Sequence, residues 1–323
     1  MLYSEFASAG RALGKLRISV VEYLNTAPLV WGFTDGPLRG RYELSFTVPS
    51  LCADALRRGD VDVAIIPSIE YQRMDGVVAL PGMAVAAKGE VRSILVVAKK
   101  PIELARRIAL DRCSRSSAAL VRLLCAGRWC IQPEFLEAEP DPAAMLSQAD
   151  AALVIGDPAL RVAVKMDMLA GKRPSGEFCC PGDSSELPVP GLQTLFLYDV
   201  AHEWREMTGQ PCVLAIWVGR REAITPEVVA DFLASKEYGM ARMDEIAEGA
   251  ALKLDLPAKA LEQYLREHID FSLDADNRAG LELYFHECAK AGLIPRAKPL
   301  ELAGDPGDTR AALADSPRAR AAT

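Results

Sequence analysis

The sequence predicts an α/β protein of two lobes that are joined by two crossing segments. Apolar runs rich in β-branched residues alternate with helix-like segments, and two long apolar runs lie far apart at residues 91–98 and 212–218. The first run can carry the chain out of one lobe, and the second can carry it back. We therefore expect one lobe from residues 16–96 and 218–302, and the other from residues 97–217.

The composition is that of a globular protein. The chain has 323 residues, of which half are hydrophobic and a quarter are charged, and its net charge is -7. This length is sufficient for two domains that each have a core. The negative charge and the absence of a basic cluster disfavour binding to nucleic acid or to an anionic membrane. We expect a monomer or a weak dimer.

Both ends of the chain and the cysteines indicate a cytoplasmic protein without a metal. Residues 1–15 are interpreted as an N-terminal extension, because they lack the long apolar stretch of an export signal. Residues 303–323 have no aromatic side chain and are predicted to be disordered. The eight cysteines form no CxxC pair or other zinc spacing, which favours reduced structural thiols.

The stretch at residues 17–33 (RISVVEYLNTAPLVWGF) predicts a buried strand, a polar elbow and a helix that starts near Pro28. Asn25 and Thr26 then lie at the carboxyl end of the first strand, where open α/β sheets bind their ligands. The Asn25 amide offers an acceptor and two donors without bringing a charge. The alternative is that Asn25 or Thr26 only caps the helix.

Two further hydroxyl side chains in the first half of the chain are candidates for binding a ligand. The strand–helix–strand pattern continues through residues 44–66, and Ser68 follows it at the same sheet edge as Asn25. Ser68 is interpreted either as a ligand contact or as a turn former. Ser93 lies in the apolar run 91–98, and if it is buried it needs a partner from the backbone or from a substrate.

A second unit begins near residue 107 and leads into a serine-rich helix start, DRCSRSSAALVRLLCAG. Ser114, Ser116 and Ser117 bring hydroxyl donors to a terminus that has free backbone N–H groups and the positive end of the helix dipole. Such a terminus suits a carboxylate or a phosphate. An ordinary helix cap by Ser114 or Ser116 is the alternative.

The strand predicted at residues 151–155 ends in Gly156 and Asp157, within a Gly-Asp-Pro turn. Glycine lets the backbone approach a ligand closely, and Asp157 can either face that ligand or cap the next helix.

Residues 171–192 have no period and are interpreted as a surface excursion. Residues 226–290 have helical periodicity, and we expect them to pack on the first lobe.

Five stretches resemble the chorismate dehydratase family of menaquinone biosynthesis: SVVEYLNTAPLVWGF, PSLCADALRRGDVDVAIIPSIEY, ALDRCSRSSAALVRLL, VIGDPAL and HEWREMTGQPCVLAIWV. They occur in the family's order over most of residues 16–295, and YLNT before Pro28 and the serine-rich helix start are the most specific. The chain departs from the pattern at Val200 and Ala201, where Leu-Gly is expected after Asp199, and at Cys212, where an aromatic residue is usual.

The resemblance implies a type 2 periplasmic-binding-protein fold, with a cleft between the lobes and a double hinge. It also implies loss of water from chorismate to give 3-[(1-carboxyvinyl)oxy]benzoate, without metal or organic cofactor. Asn25 and Ser93 are the candidate catalytic residues. The candidate substrate-binding residues are Thr26, Ser68, Ser116, Ser117, Gly156 and Asp157.

None of the candidate hydroxyl and amide groups is a base at neutral pH, and Asp157 is interpreted as a helix cap. We therefore hypothesise that the enolpyruvyl carboxylate of chorismate accepts the C3 proton itself.

Two other classes of protein with this fold remain as alternatives. One is a non-catalytic small-anion binding protein, which would normally carry an export signal. The other is 1,4-dihydroxy-6-naphthoate synthase, which is expected to show a different first loop and a histidine-bearing motif.

Overall fold

The computed structural model describes residues 14–170, 176–179 and 194–304. The predictions for most of the N-terminal extension, for most of the excursion at 171–192 and for the C-terminal tail therefore lie outside the described residues. No helix among the described residues is long and apolar enough to cross a membrane.

The described strands form two separate sheets, as a two-lobed protein requires. The strands are β1 (Arg17–Val21), β2 (Glu43–Thr47), β3 (Val63–Pro67), β4 (Val77–Ala87), β5 (Ile94–Ala98), β6 (Arg107–Asp111), β7 (Glu134–Ala138), β8 (Ala151–Ile155), β9 (Gly176–Cys179), β10 (Thr194–Asp199) and β11 (Cys212–Arg220). One sheet has the order β2-β1-β3-β11-β4, and the other has the order β7-β6-β8-β5-β10-β9. We call the parts built on them the first and the second lobe.

The helices lie between and around these strands. They are α1 (Ala27–Thr34), α2 (Pro49–Arg58), α3 (Ser68–Tyr71), α4 (Arg115–Gly127), α5 (Pro142–Gln148), α6 (Gly156–Ala170), α7 (Val200–Thr208), α8 (Pro226–Met240), α9 (Met243–Leu254), α10 (Ala258–Gln263) and α11 (Ala275–Lys290). A π-helical turn, Tyr264–His268, continues α10.

The predicted strand–helix–strand start is confirmed. β1 pairs in parallel with β2 on one side and with β3 on the other, and α1 and α2 make the connections. Gly59 ends α2 in the left-handed conformation, and its N–H group bonds the carbonyl groups of Ala55 and Leu56. This arrangement brings the segments that follow β1 and β3 to the same edge of the first sheet.

The predicted lobe boundaries shift by a few residues. β5 belongs wholly to the second sheet and β11 wholly to the first, so residues 94–96 and 212–217 lie in the opposite lobe from the one predicted. Both strands are central strands with neighbours on both sides, which is why they are apolar throughout. The chain crosses between the lobes in the shorter segments 88–93 and 209–211.

Of the later helices, α8 packs on the first lobe, as predicted. It lies close to α1, because a Cβ atom at Gly32 would lie 2.5 Å from the Cα atom of Ser235. The Ser235 hydroxyl also donates to the carbonyl oxygen of Leu29 at 3.0 Å. The absence of a side chain at Gly32 therefore lets the two helices approach closely.

Candidate active site

A small cavity lies between the lobes, where β1 and β3 of the first lobe and β8 of the second lobe end. Its volume is about 60 Å³, well below the ~300–1,000 Å³ of typical ligand pockets. Five of the eight candidate residues line it: Asn25, Thr26, Ser116, Ser117 and Gly156. Ser68, Ser93 and Asp157 lie around it without lining it. We call this space the interlobe cavity.

The turn after β1 presents Asn25 to the interlobe cavity. The Thr26 hydroxyl lies 2.5 Å from the carbonyl oxygen of Val21 and 2.8 Å from that of Tyr23, and this interaction closes the turn. Neither the turn at Leu24–Thr26 nor α1 has a side-chain cap. Thr26 occupies the N-cap position of α1 but makes no side-chain cap bond, and its hydroxyl shapes the turn that carries Asn25.

Asn25 and Ser93, which are far apart in the sequence, are both buried, and so is Tyr264. Ser93 Oγ nevertheless has no hydrogen bond of good geometry to any described residue. Burial is the main cause that raises the pKa of Tyr264, so this phenol keeps its proton.

The backbone that carries Ser93 is held in place by a buried carboxylate. Asp199 accepts hydrogen bonds from the N–H groups of Val91 at 3.1 Å and Arg92 at 2.6 Å, as well as from two N–H groups at the start of α7. The Ser93 carbonyl accepts from the Gly156 N–H at 2.7 Å. Burial raises the pKa of Asp199 to about 6 although these donors oppose the shift. Ser93 therefore has a fixed backbone and an unused hydroxyl.

Gly156 serves a contact between the lobes. Its φ angle is +65°, and a Cβ atom there would lie 2.6 Å from the Tyr23 ring. Any other residue would thus be strained and would collide with an aromatic ring of the first lobe. The prediction that Gly156 contacts substrate stays a prediction.

Asp157 has a different partner from the predicted one. Its Oδ1 atom accepts a hydrogen bond from the backbone N–H of Leu24 at 2.9 Å, and this bond joins α6 of the second lobe to the turn that carries Asn25. Burial raises the pKa of the Asp157 carboxyl group. The carboxylate therefore acts as a link between the lobes, which corrects its interpretation as a cap of its own helix.

The serine-rich start of α4 also contacts the first lobe. Ser116 Oγ accepts from the Ile69 N–H at 3.2 Å and lies 3.2 Å from Ser68 Oγ, which donates to the carbonyl oxygen of Val213 at 2.8 Å. Ser114 occupies the cap position without a side-chain cap bond. The hydroxyls of Ser68 and Ser116 are therefore engaged within the protein, whereas Ser117 lines the cavity from the first turn of α4.

Sequence reasoning missed a cation at this cavity. Arg115 lines it, and its guanidinium donates to Asp54 at 2.8 Å and 2.9 Å and to Glu70 at 3.2 Å. Asp54 and Glu70 both belong to helices of the first lobe, so this ion pair also spans the lobes. The only signal in the sequence was the position of Arg115 beside the predicted serines.

Sequence reasoning also missed Tyr264. Its segment has an ordinary helical period, and the pattern indicated only that it packs on the first lobe. A π-helical turn has no clear signature in a sequence, and this turn begins at Tyr264.

Among the described residues, no group of three or more His, Cys, Asp or Glu side chains is arranged to hold a metal ion. The six cysteines whose side chains are described are free thiols. Cys179 and Cys180, which the sequence analysis treated in the same way, are outside that set. The polar groups that surround the cavity are mostly hydroxyl, amide and backbone groups, and Arg115 shares the carboxylates of Asp54 and Glu70 with Arg57 and Arg73.

The two sheets, the two crossing segments and the cavity between the lobes define a periplasmic-binding-protein-like fold. Protein AF1704 from Archaeoglobus fulgidus has a similar structure, with a TM-score of 0.66 and 20% identity, over 88% of this chain and 100% of that one. The periplasmic aliphatic sulphonate binding protein SsuA from Escherichia coli is similar with a TM-score of 0.56 and 16% identity, over 87% and 94% of the two chains.

The sequence comparisons narrow the class to a family. The family described as menaquinone biosynthesis matches residues 16–290, and the chain belongs to it. A curated protein named chorismate dehydratase from Thermus thermophilus is 28% identical over 271 residues, which is 83% of this chain and 93% of that protein.

Proposed function

We propose that the protein is a chorismate dehydratase, which removes water from chorismate to give 3-[(1-carboxyvinyl)oxy]benzoate. The observation that carries this proposal is the buried pair Asn25 and Ser93 beside the interlobe cavity, with the Ser93 hydroxyl unpartnered. A buried hydroxyl without a partner is uncommon unless a ligand supplies the missing bond. The curated relative named chorismate dehydratase supports the choice of reaction.

The substrate is a dianion, and the proposed site meets it mainly with dipoles. Ser117 lies in the first turn of α4, where backbone N–H groups and the helix dipole favour a carboxylate. Arg115 adds a positive charge that Asp54 and Glu70 balance only in part, because both carboxylates also pair with Arg57. A ring carboxylate bound at this terminus would direct the C4 hydroxyl towards Asn25 and Ser93.

In the proposed mechanism the substrate supplies its own base. The enolpyruvyl carboxylate accepts the proton from C3, the C3–H electrons form the new ring double bond, and the C4–O bond breaks. The departing hydroxide takes up the same proton and leaves as water, so no other reactant is consumed. Asn25 and Ser93 hold the substrate in the reactive orientation and stabilise the charge that develops on the C4 oxygen. Aromatisation of the ring provides the driving force.

Substrate access requires the lobes to separate, because the interlobe cavity is small. The contacts that would open include the bond from Leu24 to Asp157 and the bond from Ile69 to Ser116. Closure over the substrate then excludes water from the reacting atoms, which strengthens the electrostatic interactions inside.

The test is to incubate purified protein with chorismate, to follow loss of the cyclohexadiene absorbance, and to identify the product by proton NMR. We expect stoichiometric formation of the enolpyruvyl benzoate and water. The control is the Asn25→Ala variant, which should bind chorismate but convert it about 100- to 1,000-fold more slowly. Tight binding without conversion by the wild type would instead indicate a binding protein. If the wild type neither binds nor converts chorismate, the proposal is refuted.

A further inference from the structure

We propose that Arg115 is a further substrate-binding residue of this site, which holds the ring carboxylate of the substrate between its Nε–H group and one Nη2–H group. The inference rests on the proposed function, and it names the group that recognises the negative charge of the substrate. Arg115 is the only charged residue among the described residues that line the interlobe cavity. An anion that enters a closed cavity needs a compensating charge, and Arg115 can supply it.

The guanidinium group of Arg115 has donors that its partners in the protein leave unused. Nη1 donates to Oδ1 of Asp54 at 2.9 Å and to Oε2 of Glu70 at 3.2 Å, and Nη2 donates to Oδ2 of Asp54 at 2.8 Å. These bonds use three of the five N–H groups that a guanidinium carries. No described residue accepts a hydrogen bond from the Nε–H group or from the second Nη2–H group.

The two unused N–H groups lie on the same edge of the planar guanidinium, and we call this edge the free fork. Asp54 occupies the end of the guanidinium and Glu70 its opposite edge, so the free fork is complete. Two parallel N–H groups match the two oxygens of a carboxylate, and such a bidentate pair is strong and geometrically specific. Arg115 directly precedes Ser116 and Ser117, so the free fork belongs to the same helical turn as the proposed carboxylate site of α4.

Asp54 and Glu70 hold the guanidinium in place without depending on it. Asp54 also pairs with Arg57, and the buried carboxylate of Glu70 pairs with Arg57 and, at 2.7 Å, with Arg73. Among the described residues, these ion pairs join three arginines to two carboxylates, so the cluster has one positive charge in excess. Loss of Arg115 leaves Glu70 with two arginines of its own lobe, so no buried charge is stranded. Substitution of Arg115 should therefore leave the first lobe folded.

The test measures the binding of two ligands that differ only in the ring substituent. One is 3-[(1-carboxyvinyl)oxy]benzoate, which we call the benzoate, and the other is its ring carboxamide. Calorimetric titration gives their dissociation constants for the wild type and for Arg115→Gln. We expect Arg115→Gln to weaken binding of the benzoate about 10- to 150-fold, as loss of a charge-assisted bond does. It should weaken binding of the carboxamide by a clearly smaller factor, because the neutral amide offers the free fork one acceptor oxygen and no charge.

Arg57→Gln is the matched control. It removes an arginine from the same two carboxylates, and Arg57 does not line the cavity. This variant should keep the wild-type preference for the benzoate over the carboxamide. Arg115→Lys keeps the positive charge but lacks the bidentate fork, so it should recover only part of that preference. It also provides the test if Arg115→Gln does not fold.

Two results would overturn the inference. One is equal weakening of both ligands by Arg115→Gln, since Arg115 would then act only by holding the lobes together, and the other is unchanged binding of the benzoate. Both results leave the dehydratase proposal standing if the wild type converts chorismate. Conversely, a wild type that does not convert chorismate, but prefers the benzoate to the carboxamide only when Arg115 is present, would refute the proposed reaction and support the free fork.

Discussion

The backbone N–H of Leu24 donates a 2.9 Å hydrogen bond to the carboxylate of Asp157 and so joins the two lobes beside the interlobe cavity. Leu24 immediately precedes Asn25 in the turn after β1, and Asp157 lies in the first turn of α6. The bond therefore couples the closed arrangement of the lobes to the position of the proposed catalytic amide.

Asp157→Ala should weaken the closed form, because it removes a charged acceptor whose hydrogen bond is worth about 1.5 to 3 kcal/mol. We expect chorismate to bind about 10- to 150-fold more weakly, with a smaller change in kcat. Calorimetric titration measures the affinity, and small-angle scattering should show a larger radius of gyration. Asp157→Asn keeps an acceptor oxygen and should change less. An inactive Asp157→Asn enzyme that still binds chorismate would instead identify Asp157 as the base.

Asn25→Ala and Ser93→Ala should each lower kcat by about 100- to 1,000-fold, as expected when one preorganised donor to a developing oxyanion is lost. The kcat of the wild type should stay level from about pH 7 to about pH 9, because none of the side chains proposed to contact the substrate is a base that titrates there. Steady-state kinetics across this range checks both points. A clear ionisation of kcat near neutrality would contradict substrate-assisted proton removal.

Alanine substitutions of Ser116 and Ser117 should have different effects on the kinetics, although the two residues are neighbours. Ser117→Ala is expected to raise KM, because a charge-assisted bond to a substrate carboxylate is worth about 1.5 to 3 kcal/mol. Ser116→Ala loses the interlobe bonds to Ile69 and Ser68, so its effect should not add to that of Ser68→Ala. Ser147→Ala, an exposed serine on α5, is the control. An unchanged KM in Ser117→Ala would refute the anion site at α4.

Asp199 should make the stability of the fold depend on pH. Its pKa is about 6 in the folded protein against 3.8 as the ordinary value, so folding disfavours the charged form. The stability of the wild type relative to Asp199→Asn should therefore fall as the pH rises from about 4 to about 6, by about 3 kcal/mol, and stay level above that. Urea unfolding of both proteins measures the difference. If this difference does not change with pH, the four N–H donors fully offset the effect of burial on the pKa of Asp199.

The sequence by itself determined the order of the elements and the lobed architecture. The β-branched runs specify the buried strands, and a glycine, Gly59, ends α2. Asn25 and Ser93 could be selected from the sequence because a polar group at a strand end, or in an apolar run, is exceptional and requires a partner. These are local signals, since the period of a pattern and the preferences of single residues are readable without knowledge of distant contacts.

Only the tertiary structure decided which polar groups meet. The sequence gives no indication that Asp157 binds the N–H of Leu24 or that Ser116 bonds Ile69, because each contact joins segments far apart in the chain. It likewise could not assign β5 and β11 to their lobes, since an apolar strand looks the same in either sheet. Contacts between the lobes depend on how the two lobes are placed, and that placement is a property of the whole chain.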